Sequence, residues 1–388
     1  MTAYKTSNYR NVFAEKGKTQ EEIQKRLDEI WNFFFYGNED ERVYHQVGDD
    51  MAYIEDTGNH DARTEGMSYG MMICVQLDKK EEFDRLWKWS YTYMWLREGE
   101  NEGYFAWSCS TDGKKNAYGA APDGEEFFAM ALFFASHRWG DGEGIYQYSE
   151  HAKKILQACL HKGENGRAGD PMWNRDNKQI VFVAGSPFTD PSYHLPHFYE
   201  LFALWANEED RDFFKEAAKV SRDYLAKACH PVTGMCAEYA EFDGSPMSHE
   251  LPWSKDRHDW FYSDSYRTVA NIGLDFEWFG VEAGHEKAAA RLQNFLGKVR
   301  KDDPFKIYEV DGTCIEQNAL HPVGLLAATA QGALAVYGSS KDAEEIEMAN
   351  EWVDRLWNQP LRLGDRRYYD NCLYFFAFLA LSGNYRIW

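Results

Sequence analysis

Three carboxylates, Glu65, Asp123 and Asp264, are where chemistry can be argued first. Each stands at the mouth of a run with little charge. Glu65 opens Met67 to Leu77, Asp123 precedes Phe127 to Ala135, and Asp264 heads a mostly apolar stretch ending at Phe279. A carboxylate so placed either caps a helix, accepting its orphan N–H groups, or works as an acid or base. Glycoside hydrolysis needs two such groups in opposite protonation states: an acid for the leaving oxygen and a base for water. Glu65 is the better acid, because its apolar neighbours Met67, Tyr69 and Met71 desolvate it and favour the neutral form. Its helix N-terminus pulls the other way. Asp264 is the better base: Arg267 lies one turn on at i+3, and with Tyr262 or Tyr266 it keeps the carboxylate ionised and oriented. Asp123 is a third carboxylate, for binding sugar hydroxyls or steering water.

Twelve helical segments must position these groups. A capping box, Thr19 with Glu22, starts the first, whose stripe is Ile23, Leu27, Ile30, Trp31 and Phe34. The others run from Glu65 to Leu77, Glu81 to Leu96, Pro122 to Ala135, Glu150 to Lys162, Tyr193 to Ala206, Glu208 to Ala228, Asp264 to Phe279, Glu282 to Lys301, Pro322 to Tyr337, Lys341 to Trp357 and Tyr369 to Ser382. They are alternately amphipathic and apolar. A helix charged on one face lies outside; one apolar all round is buried. The alternation therefore predicts an all-α fold, an (α/α)6 barrel of six inner and six outer helices. No linker divides the chain, so residues 1–388 read as one catalytic domain. Gln179 to Val183 and Pro304 to Tyr308 read as short hairpin strands in long loops.

In such a barrel the inner helices start on one face. Their six starts are Arg63-Thr64-Glu65, Ala121 to Glu126, Asp190-Pro191-Ser192-Tyr193-His194, Tyr262 to Arg267, Leu320-His321-Pro322 and Arg366 to Asp370. Five carry a carboxylate and the sixth a histidine. Capping explains isolated acids, but not the Tyr, His and Arg that accompany them.

Composition narrows the partner. A net charge of −21 over 388 residues leaves nothing to neutralise nucleic-acid phosphates or to seek an anionic membrane. A neutral ligand fits better, and the 14 Trp, 24 Tyr and 25 Phe leave flat rings to spare for sugar stacking. Seven cysteines without a CxxC read as reduced, buried thiols. Met1-Thr2-Ala3-Tyr4-Lys5 has no apolar signal segment and no run is long enough to span a bilayer, so the expectation is a cytoplasmic protein.

The motifs Thr64-Glu65-Gly66-Met67-Ser68-Tyr69-Gly70-Met71, Ala121 to Glu126, Asp190-Pro191-Ser192-Tyr193, Ser263-Asp264-Ser265-Tyr266-Arg267 and Tyr368-Tyr369-Asp370 resemble glycoside hydrolase family 8 over nearly the whole chain. Gly103 to Ser108, Met172 to Asn177 and Leu320-His321-Pro322-Val323 look most like its reducing-end-xylose-releasing exo-oligoxylanases. The resemblance implies an (α/α)6 barrel, inversion without cofactor or metal, and a xylo-oligosaccharide substrate. It implies Glu65 as general acid and Asp264 as general base, standing roughly 6.5–9.5 Å apart to admit water. Asp123 would hold the distorted sugar. Trp107, Glu126, Tyr193, Arg267, His321 and Tyr369 would serve the substrate, with His321 on the reducing-end xylose.

Three other readings compete. An endo-acting xylanase or glucanase needs an open groove. A sugar epimerase needs two opposed bases, for which His194, His197 and His321 are available. A sugar-binding module needs no working carboxylate. The loop Glu241 to Trp260 matches no motif, and its His249 and His258 read as solvated rather than metal-binding.

Overall fold

The computed structural model describes residues 2–247, 251 and 254–388. Among them, in chain order, the barrel helices are α1 (Gln20–Trp31), α2 (Thr64–Gln76), α3 (Lys80–Trp89), α4 (Pro122–Trp139), α5 (Tyr148–His161) and α6 (Pro196–Trp205). They continue as α7 (Arg211–Ala228), α8 (Tyr266–Phe279), α9 (Lys287–Asn294), α10 (Pro322–Gln331), α11 (Ala343–Asn358) and α12 (Arg367–Leu381). Even-numbered helices form the inner ring. Each touches the next, and α12 closes on α2. Odd-numbered helices pack outside, each against an inner neighbour. The (α/α)6 barrel read from the hydropathy alternation is thus the fold.

The physical cause is burial. Every residue of α12, from Arg367 to Leu381, is buried, as is α2 except Glu65. On the amphipathic α1 the buried residues are Ile23, Leu27, Ile30 and Trp31, behind the expected capping box of Thr19 and Glu22. One continuous core runs from Ala3 to Tyr385. Two glycines let the inner helices converge. A Cβ on Gly124 of α4 would lie 2.4 Å from the Thr64 side chain, and one on Gly66 would lie 2.7 Å from the Tyr368 ring.

Helix ends differ from the sequence expectation for identifiable reasons. The stretch from Tyr193 to Ala206 is broken: a single turn, Pro191–Tyr193, precedes α6, which starts at Pro196. Proline has no N–H to lose in a first helical turn, so it marks a start rather than an interior. The run Pro322 to Tyr337 splits at Gly332 into α10 and a helix Ala333–Ser339. Gln179 to Val183 is not a strand; only Ile180 bridges, to Trp173.

Seven short strands hold the loops: β1 (Tyr44–Val47), β2 (Met51–Ile54), β3 (Asp61–Arg63), β4 (Ser108–Ser110), β5 (Trp260–Phe261), β6 (Lys306–Glu309) and β7 (Cys314–Asn318), among the described residues. The β3–β4 pair matters most, since β3 runs into α2. The backbone N–H of Thr64 donates to the Trp107 carbonyl at 3.0 Å, setting an aromatic ring beside Glu65. The β5–β6–β7 sheet holds the segment leading to Asp264.

Away from the helix starts, α8 is anchored by charge. Arg222 of α7 grips Asp275 at 2.9 and 2.7 Å, and His285 reaches the same carboxylate at 2.9 Å. Burial would raise the Asp275 pKa, but Arg222 holds it well below the usual carboxylate range.

Candidate active site

The starts of the inner helices line a cavity of about 680 Å³. Of the residues expected from sequence, Glu65, Trp107, Asp123, Tyr193, Asp264, His321 and Tyr369 are on its wall. Arg267 is not. It lies beneath, 4% exposed, and joins the carboxylates to one another.

Its Nη1 donates to Glu65 Oε2 at 2.7 Å, to Asp123 Oδ2 at 3.0 Å and to the Tyr69 hydroxyl at 3.0 Å. Its Nη2 stands 3.4 Å from Asp264 Oδ2 and 3.6 Å from Asp190 Oδ2. Glu65 and Asp264 therefore sit on different nitrogens of one guanidinium. Tyr193 and Tyr369 place their rings 5.4 and 5.9 Å from its centre. Burial works against the charge of Arg267, but Tyr69, Asp264, Tyr369 and Glu65 hold it ionised.

One cation among four carboxylates cannot keep them all charged. Burial pushes the Glu65 pKa up to about 7; Arg267 opposes this, and Asp123 and Asp264 reinforce it. Burial also raises Asp123, and raises Asp190 well above its ordinary value, again against Arg267. Glu65 does not cap its helix. Its other oxygen accepts the Tyr368 hydroxyl at 2.7 Å. A carboxyl with this affinity for a proton near neutrality can protonate a leaving oxygen.

Removing the cation should be costly. Arg267→Met should lose about 3–5 kcal/mol of stability at pH 7, the usual scale for breaking a buried pair. The carboxylates left behind would have raised folded-state pKa values, so folding takes up protons. The loss should shrink as the pH falls toward 4. Urea unfolding at both pH values checks this; an equal loss at both would mean that Arg267 only fills space.

His321 also has a fixed role for its ring. Nδ1 lies 2.9 Å from Asp370 Oδ2, and a carboxylate can only accept, so Nδ1 carries a proton and Nε2 is left free of that bond. Asp370 takes the Gly324 N–H at 2.7 Å and pairs with Arg362, which in turn donates to the Leu320 carbonyl at 2.6 Å. The Leu320-His321 wall is thereby tied to α12. Elsewhere on the wall Trp107 is 37% exposed, and Arg63 lies 5.2 Å over its ring while pairing with Asp56 and Asp61. An open indole face so braced suits a sugar ring.

Glu126 does not face the cavity as expected. It is 1% exposed and accepts the Tyr199 hydroxyl at 2.5 Å, behind the wall. Three positions on, Glu126 lies about 60° around the helix axis and about 4.5 Å further from the cavity mouth than Asp123, where it meets Tyr199. His194 and His197 are buried outside the cavity, their pKa values pressed down to about 3 by burial. Only His321 of the three histidines lines it, so among the described residues the wall offers no opposed pair of histidine bases. His249 lies outside the described residues. His258 is half-buried and paired with Glu238, not solvated.

Several wall residues escaped sequence reasoning. Tyr368, the partner of Glu65, stood next to Tyr369 in the same motif, and only the close approach at Gly66 distinguishes it. Phe182 and Tyr239 come from loops, their rings 4.1 Å apart, with no periodicity to reveal them. Asp56, Asn59 and Asn101 join them for the same reason.

The model for glycosyl hydrolases family 8 matches residues 45–380. The chain is 55% identical over 386 residues to the reducing-end xylose-releasing exo-oligoxylanase Rex8A of Paenibacillus barcinonensis, covering 100% of this chain and 98% of that one. It is 54% identical over 387 residues to the reducing end xylose-releasing exo-oligoxylanase of Halalkalibacterium halodurans, covering 100% and 96%. The structure of Rex8A complexed with xylose superposes with a TM-score of 0.94 at 54% identity, covering 100% of this chain and 99% of that one. The chain therefore belongs to glycosyl hydrolases family 8. It is a glycoside hydrolase.

Proposed function

We propose that this protein is an inverting exo-oligoxylanase that releases xylose from the reducing end of short β-1,4-xylo-oligosaccharides. The observation that carries the reading is the pair Glu65 and Asp264, lining one cavity and joined through Arg267. The names of the two full-length relatives support the substrate.

In this reading Glu65 is the general acid. Its proton passes to the glycosidic oxygen as the C–O bond breaks. Asp264 is the general base: it takes a proton from water, whose oxygen bonds to the anomeric carbon from the opposite face. Asp123 binds the hydroxyls of the sugar being cleaved, Trp107 stacks on the chain, and Tyr193 and Tyr369 flank the ring. His321 hydrogen-bonds a hydroxyl of the reducing-end xylose through Nε2. Arg267 supports the three carboxylates and does not bind sugar itself.

The Leu320-His321 segment lines the cavity, and the names of the two full-length relatives favour exo over endo cleavage. His321→Ala should lower kcat/KM on xylotriose by about threefold to tenfold, the worth of one hydrogen bond. It should also yield internal cleavage products from longer chains, read by chromatography. An unchanged product pattern would remove His321 from recognition.

One continuous core supports reading residues 1–388 as a single catalytic domain. The seven unpaired thiols, all but Cys314 buried, support a cytoplasmic site of action. The substrate assignment is tested with xylopentaose carrying a ¹³C label in its reducing-end sugar, followed by mass spectrometry. The first monosaccharide should carry the label. Label retained in the oligomer, or a mixture of internal fragments, would favour the endo-acting xylanase or glucanase reading.

A further inference from the structure

Asp264 sits on a turn that the surrounding chain must hold in place. Ser263, just before it, has φ of 39°, a left-handed conformation costly for a residue with a side chain. Ties to neighbouring groups hold the turn. The Ser265 hydroxyl donates to the Tyr262 carbonyl and accepts the Tyr262 N–H, both at 2.9 Å. The Tyr369 hydroxyl donates to the Ser263 carbonyl at 3.2 Å.

Glu238 is 6% exposed and lies outside the cavity wall. Its Oε2 is 2.6 Å from His258 Nδ1, and His258 Nε2 is 3.1 Å from the Ser254 hydroxyl. The two strands of chain are also laced by backbone. Glu238 N–H donates to the Trp260 carbonyl and Tyr239 N–H to the His258 carbonyl, each at 2.8 Å. The Tyr239 ring, part of the cavity wall, stacks on the His258 imidazole with centroids 4.3 Å apart and planes 15° apart.

We propose that Glu238 and His258 are positioning residues for Asp264, fixing the backbone of the base and joining it to the segment around residues 254–260. The proposal rests on Asp264 being the general base. A buried carboxylate held by a stacked imidazole, on a segment laced by backbone to the strand that leads into the base, is a rigid support, the kind a misaligned base would lack. Proton sharing strengthens the fit. Burial drives Glu238 up to about 7 against the pull of His258, and Glu238 raises His258 against its burial.

The test is steady-state kinetics on xylotriose for Glu238→Ala, Glu238→Gln, His258→Phe and Asp264→Asn, with folding checked by circular dichroism. Glu238→Ala should lower kcat by about 10²-fold with KM unchanged, the scale of a displaced catalytic group. Glu238→Gln keeps an acceptor for the His258 ring N–H and should recover most of the rate. His258→Phe keeps the ring on Tyr239 but loses the hydrogen bond, and should lower kcat by roughly tenfold. It is a half-buried loop residue, so it decides the matter even if Glu238→Ala fails to fold. The proposal is overturned if these variants turn over like the parent while Asp264→Asn is inactive, or if Glu238→Gln is as slow as Glu238→Ala. An active Asp264→Asn would instead overturn the base assignment, and the proposal with it.

Discussion

Glu65→Gln should abolish nearly all turnover of xylotriose while making the fold more stable at alkaline pH. The rate effect follows from losing the proton donor, which contributes roughly 10²–10⁴-fold. Glutamine is nearly isosteric and can still meet Tyr368 and Arg267, so KM should change little. A substrate whose leaving group needs no proton, such as β-xylobiosyl fluoride, should be largely spared. If it slows as much as xylotriose, Glu65 acts by position or charge and not as an acid.

The stability effect has a definite sign. Burial raises the Glu65 pKa from 4.5 to about 7 in the folded protein. The stability tied to that proton is complete below the unfolded value and is lost as the pH rises through about 7. Glutamine carries no such charge. The variant should therefore gain on the parent above pH 7, by roughly 3 kcal/mol at most from the size of the shift, and match it near pH 4. The same proton predicts that the parent's activity falls as the pH rises past about 7, because the acid is then ionised.

Asp264→Asn should be as damaging, by about 10²–10⁴-fold in kcat, because water then has no base. An anionic nucleophile needs none. Azide should restore turnover by bonding through nitrogen to the anomeric carbon as the glycosidic C–O bond breaks, with the Glu65 proton going to the leaving oxygen. The product is a glycosyl azide of α configuration. Azide should not help Glu65→Gln on xylotriose. Rescue of both variants, or of neither, would break the division of labour between the two carboxylates.

Much of this was legible in the chain, for local reasons. Burial on one stripe or all round writes itself into the hydropathy pattern, so the ring order could be read without a repeat. Asp264 and Arg267 are one helical turn apart, and their contact follows from spacing. The bond from Arg267 to Glu65 spans 202 residues, and no local rule predicts it. The same limit explains Glu126. It shares a motif with Asp123 but points to Tyr199, and only the packing of α4 against α6 determines which acid faces the cavity. Tyr368 and Tyr369 pose the problem in reverse, since both proved useful, to Glu65 and to Ser263. Loop residues were hardest. Phe182, Tyr239 and His258 have no periodicity, and their roles come from ring stacking across separate loops.

The central claim is that Glu65 and Asp264 act on opposite faces of one glycosidic bond. Proton NMR of xylotriose during the first minutes of hydrolysis tests it directly. The newly formed reducing end belongs to xylobiose, and it should appear first as the α anomer and only later equilibrate. Xylobiose appearing first as the β anomer would mean retention, and would contradict the assignment of Asp264 as a base acting through water.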